Sequence, residues 1–126
     1  MSDNLIYFFK PVGRPGPIKI GGARMPERRI LNVAIWCPWP LEIIASAPGN
    51  FALERFLHGE FAGSRVNGEW FEPTPALLAA IDKVRAGLSI EAAFGAKAVV
   101  HKRKRTQPKP ERRIVYVRDD DEAEAA

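Results

Sequence analysis

The chain has one cysteine, Cys37, in 126 residues, which excludes an internal disulfide framework and leaves too few thiols for a structural zinc site. No stretch approaches the ~18 consecutive apolar residues needed to span a bilayer. The first residues, Met1-Ser-Asp-Asn4, lack the basic region and long apolar run of a signal peptide. A soluble protein of the cytoplasm, without membrane contact, is expected. Internal repeats are absent, and Cys37 has no histidine near it in sequence to activate it as a nucleophile.

What is present suffices for one core: 46% of the residues are hydrophobic, and the length fits a single domain. The net charge of +4 is unevenly spread. From Met1 to Ala96 ten Lys and Arg face nine Asp and Glu, from Lys97 to Arg113 eight face one, and from Ile114 onward one faces five. The stretch from His101 to Arg113 is too charged to bury anything and is expected to be disordered in isolation. Ile114–Val117 reads as a strand or a short docking motif, and Asp119–Ala126 as an acidic end. The expected organisation is a folded domain over 1–96 and a charged tail over 97–126.

Within the first part, Leu5–Phe9 is apolar on both alternating faces and suits a strand buried on both sides. A Gly/Pro-rich stretch, Pro11–Pro17, separates it from a second strand, Ile18–Gly21, so the two pair as a hairpin with a longer loop. Pro26 suits a first helical position, and the helix continues to Ile35 with Ile30, Leu31, Ala34 and Ile35 inward. Leu41–Ala47 is a third strand ended by Pro48-Gly49. Helices follow over Phe51–Ser64, over Ala76–Ala86 with Leu77, Leu78, Ile81 and either Val84 or Arg85 at core spacing, and over Ile90–Phe94 with Ser89 as its cap. The order predicts an α+β fold: a small three-stranded antiparallel sheet flanked by helices, with a disordered charged C-terminal tail. Trp36 and Trp39, on either side of Cys37-Pro38, are expected to cover the core, and Trp70 and Phe71 to close the sheet.

On the helix beginning at Phe51, Leu53, Leu57 and Phe61 form the core stripe, while Glu54 and His58 stand one turn apart beside it. A carboxylate and an imidazole on one helix face make a usable metal and proton-transfer pair. Such a pair is ordinary on its own, because most glutamates on amphipathic helices are simply solvated.

The order of several motifs gives the pair a context. Ile6-Tyr-Phe-Phe9, the Gly/Pro-rich loop, Ile18-Lys-Ile-Gly21, Pro26-Glu-Arg-Arg29, Leu53-Glu54 with His58, and Gly68-Glu-Trp-Phe71 together resemble the GIY-YIG nuclease superfamily. More narrowly they resemble its branch named after a meiotically up-regulated gene and related phage reading frames. The likeness covers roughly Leu5 to Ile81, and several ordered motifs agreeing is more specific than any one. It departs from the superfamily at Leu5, where a glycine is usual, at Lys19, where a tyrosine is frequent, and at Gly68–Phe71, where many members carry an asparagine.

The resemblance implies a metal-dependent endonuclease cutting phosphodiester bonds of DNA, with Mg²⁺ or Mn²⁺ as cofactor and RNA as the second substrate class. Tyr7 would help activate water, Arg29 would neutralise the phosphate, and Glu54 would bind the metal. The wheel of the first helix does not choose between Arg28 and Arg29, whereas alignment favours Arg29. A hard carboxylate suits Mg²⁺, and a guanidinium suits a phosphate gaining charge. Lys19 is expected to lower the Tyr7 pKa from across the strand pair. His58 is a further candidate acid, base or orienting group, and Glu69 a second candidate metal ligand. Arg65 and the cluster Lys102, Arg103, Lys104 and Arg105 are expected to contact the phosphate backbone. The alternative is a noncatalytic nucleic-acid-binding or interaction module that kept the fold; nothing in the sequence indicates a protein partner or a dimer.

Overall fold

The computed structural model describes residues 4–102 and 112–118. β1 (Leu5–Pro11) and β2 (Ile18–Ala23) form the expected antiparallel hairpin, with Tyr7 opposite Gly21 and Phe9 opposite Lys19. β3 (Leu41–Pro48) pairs with the other edge of β1 through a bulge between Phe8 and Phe9. The sheet does not stop at three strands. β4 (Arg65–Asn67) and β5 (Trp70–Phe71) form a tight hairpin through Gly68 and Glu69, and β5 adds to β2, giving the order β3-β1-β2-β5-β4. The α+β, antiparallel architecture stands; the two added strands are too short to show a period in sequence.

The helices start where local chemistry provides a cap. α1 (Pro26–Ala34) begins with Pro26, whose missing N–H costs nothing at a first position. α2 (Phe51–Glu60) is capped by Asn50, whose side-chain oxygen accepts from the Leu53 N–H at 2.8 Å. It is shorter than expected, because Ala62–Ser64 tightens into a 3-10 turn. Thr74 and Ser89 cap α3 (Pro75–Arg85) and α4 (Ile90–Phe94) in the same way.

Alternation then separates two faces of the sheet. Ile6, Phe8, Ile18, Ile20 and Phe71 join Leu53 and Leu57 of α2 and Leu77, Ala80, Ile81 and Val84 of α3 in one buried core. Val84, not Arg85, therefore completes the α3 stripe, and Leu78 lies outside it. Tyr7, Phe9, Lys19 and Gly21 lie on the opposite face by the same alternation. On α1 the expected inward set is corrected: Ile30 and Ala34 are half-buried, but Leu31 and Ile35 are 69% and 73% exposed. The buried side instead follows Pro26, Ile30, Val33, Ala34 and Cys37, and apolar residues all around this short helix hid the choice. Trp36, 86% exposed, does not cover the core.

The segment expected to lack regular structure contains a second sheet. β6 (Ala96–Lys102) and β7 (Arg112–Arg118) pair in register from Ala96 opposite Arg118 to Lys102 opposite Arg112. β7 packs on α2, where Tyr116 meets the core and Arg118 pairs with Glu60. Ile114–Val117 is thus a strand that clasps the helix carrying Glu54 and His58. Arg103, Lys104 and Arg105 lie outside the described residues, as does 119–126. Among the described residues no helix is long and apolar enough to cross a membrane.

Candidate active site

β5 accompanies β2 only along Ile18 and Lys19, so the outer edge of β2 is open from Ile20 onward. Both backbone groups of Ile20 find other partners: its N–H donates to the Glu69 carbonyl at 3.0 Å, and its carbonyl accepts from His58 Nε2 at 2.8 Å. A carbonyl can only accept, so this bond places a proton on Nε2 and leaves a neutral ring its lone pair at Nδ1. The notch brings α2 and the Gly68–Glu69 turn to the same point. Ligand atoms of Glu54, His58 and Glu69 lie within 4.8 Å of one another there.

Glu54 is 7% exposed, the one buried charged residue among those described. Burial raises its pKa, and the neighbouring charge of Glu69 raises it further; His58, Lys19 and Arg29 pull in the opposite direction without prevailing. His58 Nε2 stands 3.8 Å from Glu54 Oε2. Lys19 reaches Glu69 Oε1 at 2.7 Å and also lies 5.8 Å from the centre of the Trp70 ring. The ammonium is thus committed to Glu69.

Tyr7 is completely buried, stacked on Phe9 at 4.0 Å, and its hydroxyl has no partner of ordinary hydrogen-bond geometry among the described residues. Burial raises its pKa; Arg29 approaches as donor and cation and opposes the rise, which Glu69 and Glu54 reinforce. The expectation that Lys19 lowers this pKa is therefore corrected. Lys19 stands opposite Phe9, its charge goes to Glu69, and Arg29 is the cation that faces the phenol.

Tyr7, Lys19, Arg29, Glu54, His58 and Glu69 are thereby brought together. Arg28 is exposed on α1 and has no part in the interactions around Tyr7 and Glu54. Arg65 sits beside the group: its guanidinium lies 5.5 Å from the Phe71 ring centre, and that ring is 5.4 Å from His58. Lys102 ends β6, remote in sequence from the notch.

Two residues of the site do not stand out in the sequence reading. Gly21 and Gly22 are consecutive in β2, so side chains there would point to opposite faces. A Cβ on Gly21 would collide with the Tyr7 hydroxyl, and one on Gly22 would lie 2.6 Å from Glu54 Oε1. The paired glycines let the phenol and the carboxylate approach the same strand from its two sides. A Gly-Gly step inside a strand, which weakens the strand, is the sequence signal of such an approach.

The donor set is two carboxylates and an imidazole. Two carboxylates crowded together, one of them with a raised pKa, are relieved by a cation, and oxygen donors suit Mg²⁺ or Mn²⁺. The residues therefore fit such an ion, and Glu54 and Glu69 are the carboxylates that could hold it.

No curated protein and no solved structure matches the chain. A family model described as the T5orf172 domain matches residues 4–89, which takes in all five strands of the first sheet and the whole notch. That domain occurs in phage reading frames and is associated with nuclease-like proteins. With most of its length matched, the chain belongs to the T5orf172 domain family.

Proposed function

We propose that the protein is a divalent-metal-dependent endonuclease of the GIY-YIG type that hydrolyses phosphodiester bonds in DNA. The observation that carries this reading is the convergence of Glu54, His58 and Glu69 at one notch, with the buried Tyr7 phenol and Arg29 beside it. The family association with nuclease-like proteins supports it at a coarser level.

Glu54 and Glu69 would hold the ion, and Lys19 fixes the position of Glu69. When bound, Mg²⁺ or Mn²⁺ would supply neutralisation of phosphate charge and a more acidic water. Arg29 faces the phosphate and stabilises the charge that builds up as phosphorus becomes five-coordinate. Tyr7 acts as a neutral phenol, because burial keeps its proton on; its enclosed hydroxyl, which Arg29 approaches, orients the attacking water once substrate draws Arg29 to the phosphate. His58 anchors α2 to the edge of β2 through Ile20 and keeps Glu54 in place. Water attacks phosphorus and gives up a proton, the bond to the leaving oxygen breaks, and that oxygen takes up a proton in exchange through solvent, so that the net change is addition of one water.

The test is nicking of supercoiled plasmid by purified protein with Mg²⁺ or Mn²⁺, beside Glu54→Ala and an EDTA control. Nicking that needs both Glu54 and metal is the expected result. DNA binding without nicking would assign the noncatalytic role instead, and equal nicking by the Glu54→Ala protein would mark a contaminant. Replacing the plasmid with a structured RNA separates the two substrate classes.

A further inference from the structure

All three tryptophans of the chain, Trp36, Trp39 and Trp70, line one cavity of about 410 Å³. Its other walls are apolar or small: Val33, Pro38 and Val66 among them. A volume of this order falls in the range of small-molecule pockets. Trp36 is 86% exposed, although indole is among the costliest side chains to leave in water. No described part of the chain covers it.

The cavity neighbours the notch along two lines of the chain. Trp70 follows Glu69 directly, and Lys19 joins the two by pairing with the carboxylate and lying near the indole. On α1, Arg29 and Val33 are one turn apart on one face, and Trp36 follows in the closing turn, its N–H donating to the Val33 carbonyl at 3.1 Å. Arg29, beside Tyr7, and Trp36, in the cavity, are therefore separated by about 10 Å at 1.5 Å per residue. One cation stands at the rim: Arg14 lies 4.6 Å from the centre of the Trp39 ring.

We infer that this cavity receives an unpaired nucleobase of the nucleic-acid substrate, stacked on tryptophan, from a nucleotide flanking the phosphate held at the notch. The inference rests on the nuclease reading for the presence of nucleic acid, and it adds the substrate form: a strand with at least one base out of its pair. Indole faces with Arg14 at one ring and Lys19 near another match what a base and its backbone offer together, a π-face and a negative charge. A paired base has its faces covered by neighbours and cannot enter.

Because every tryptophan lines the cavity, emission excited at the red edge of the indole band reports on it alone. The full chain in EDTA, which prevents cleavage, is titrated with a short oligothymidylate, with an abasic oligomer of the same length, and with a blunt duplex. Oligothymidylate should quench the emission and bind at least fivefold more tightly than the abasic strand, the effect of about one base–aromatic stack. The abasic strand and the duplex should bind through their backbones without quenching. Trp36→Ala should abolish the preference for bases while leaving abasic affinity unchanged, and Trp36→Phe should restore part of it. Equal binding of thymidylate and abasic strands, without quenching, would overturn the inference and leave the nuclease reading standing. Failure of every oligomer to bind would overturn the inference, and metal-dependent plasmid nicking would then decide the nuclease reading separately. Emission that changes on dilution of the free protein, and not with thymidylate, would give the groove to a second copy of the chain.

Discussion

The carboxylate of Glu54 fills the space that a side chain at Gly22 would occupy: a Cβ there would lie 2.6 Å from Oε1. The neighbouring Gly21 stands in the same relation to the Tyr7 phenol on the other face of β2. The consequences of adding a methyl group differ at the two positions. At Gly22 the obstacle is the end of a flexible side chain, which can move away. At Gly21 it is a buried ring stacked on Phe9, which cannot.

Gly22→Ala is therefore expected to keep the fold, with a stability change of at most about 1 kcal/mol, and to lose roughly a hundredfold in metal-dependent nicking as the carboxylate is displaced. Gly21→Ala is expected to destabilise the protein by about 1–3 kcal/mol through overpacking. Thermal melts and plasmid nicking on both variants check the contrast. Full activity in Gly22→Ala would separate Glu54 from the chemistry.

The phenol of Tyr7 gives a second prediction. Folding raises its pKa above the ordinary value of ~10, so the folded state favours the protonated form. As pH rises past the ordinary value, the unfolded chain loses its proton first, and the stability from this group is lost as pH climbs through the folded value. The ultraviolet difference between wild type and Tyr7→Phe should show tyrosinate appearing only above the ordinary range, or together with unfolding. Activity should accordingly lack an alkaline rise near neutrality. A Tyr7 phenolate titrating below its ordinary value would reinstate a base role. The Lys19→Met variant should leave the Tyr7 titration where it is, since Lys19 serves Glu69.

The first hairpin, α1, β3 and the capped starts of α2, α3 and α4 were legible because proline, cap residues and apolar runs mark them locally. Tyr7, Arg29, Glu54 and His58 were legible through the order of motifs. The role of Lys19 was not, because it depends on a pairing 50 residues away that sets it against Trp70 and next to Glu69. The hairpin of β6 and β7 was masked by charge: Lys97 and the cations on either side dominate the composition, while the residues that anchor it to α2, Tyr116 and Arg118, are few and distant in sequence from that helix. The outward face of α1 was hidden because Leu31 and Ile35 are as apolar as Ile30 and Val33. Pro26 is the one buried residue of so short a helix, and with half-buried Ile30, Val33 and Ala34 it marks the inward side.

Glu54 supplies a third prediction, in the absence of metal. Its folded pKa is raised by burial and by Glu69, which for a carboxylate means that folding favours the neutral form. The cost of holding the ionised group is absent below the ordinary carboxylate pKa of ~4.3 and grows as pH rises through the folded value. Glu54→Gln should therefore melt a few degrees above wild type at neutral pH in EDTA, with the difference vanishing under acid. Saturating Mn²⁺ should reverse the order, stabilising wild type by mass action and leaving the variant unmoved. A Glu54→Gln protein that gains the same stability from Mn²⁺ would place the ion elsewhere.

The charged C-terminal segment calls for two different perturbations, because part of it is structural. Truncation after Gly95 removes β6 and β7, exposes the side of α2 formed by Ala52, Phe56 and Glu60, and takes away the anchoring side chains of Tyr116 and Arg118. It should lower the melting temperature and loosen the helix that positions Glu54 and His58, so any fall in DNA affinity of the truncated chain is ambiguous. Changing Lys102, Arg103, Lys104 and Arg105 to glutamine removes charge and keeps the strands' main chain. That variant should melt close to wild type. If the four cations neutralise phosphates, the slope of log affinity against log salt on duplex DNA should fall by about 0.9 for every phosphate that the variant no longer neutralises, with no change in sequence preference. An unchanged slope in the glutamine variant would confine this segment to bracing α2, and would leave Arg28, Arg29 and Arg65 as the cations that meet the backbone.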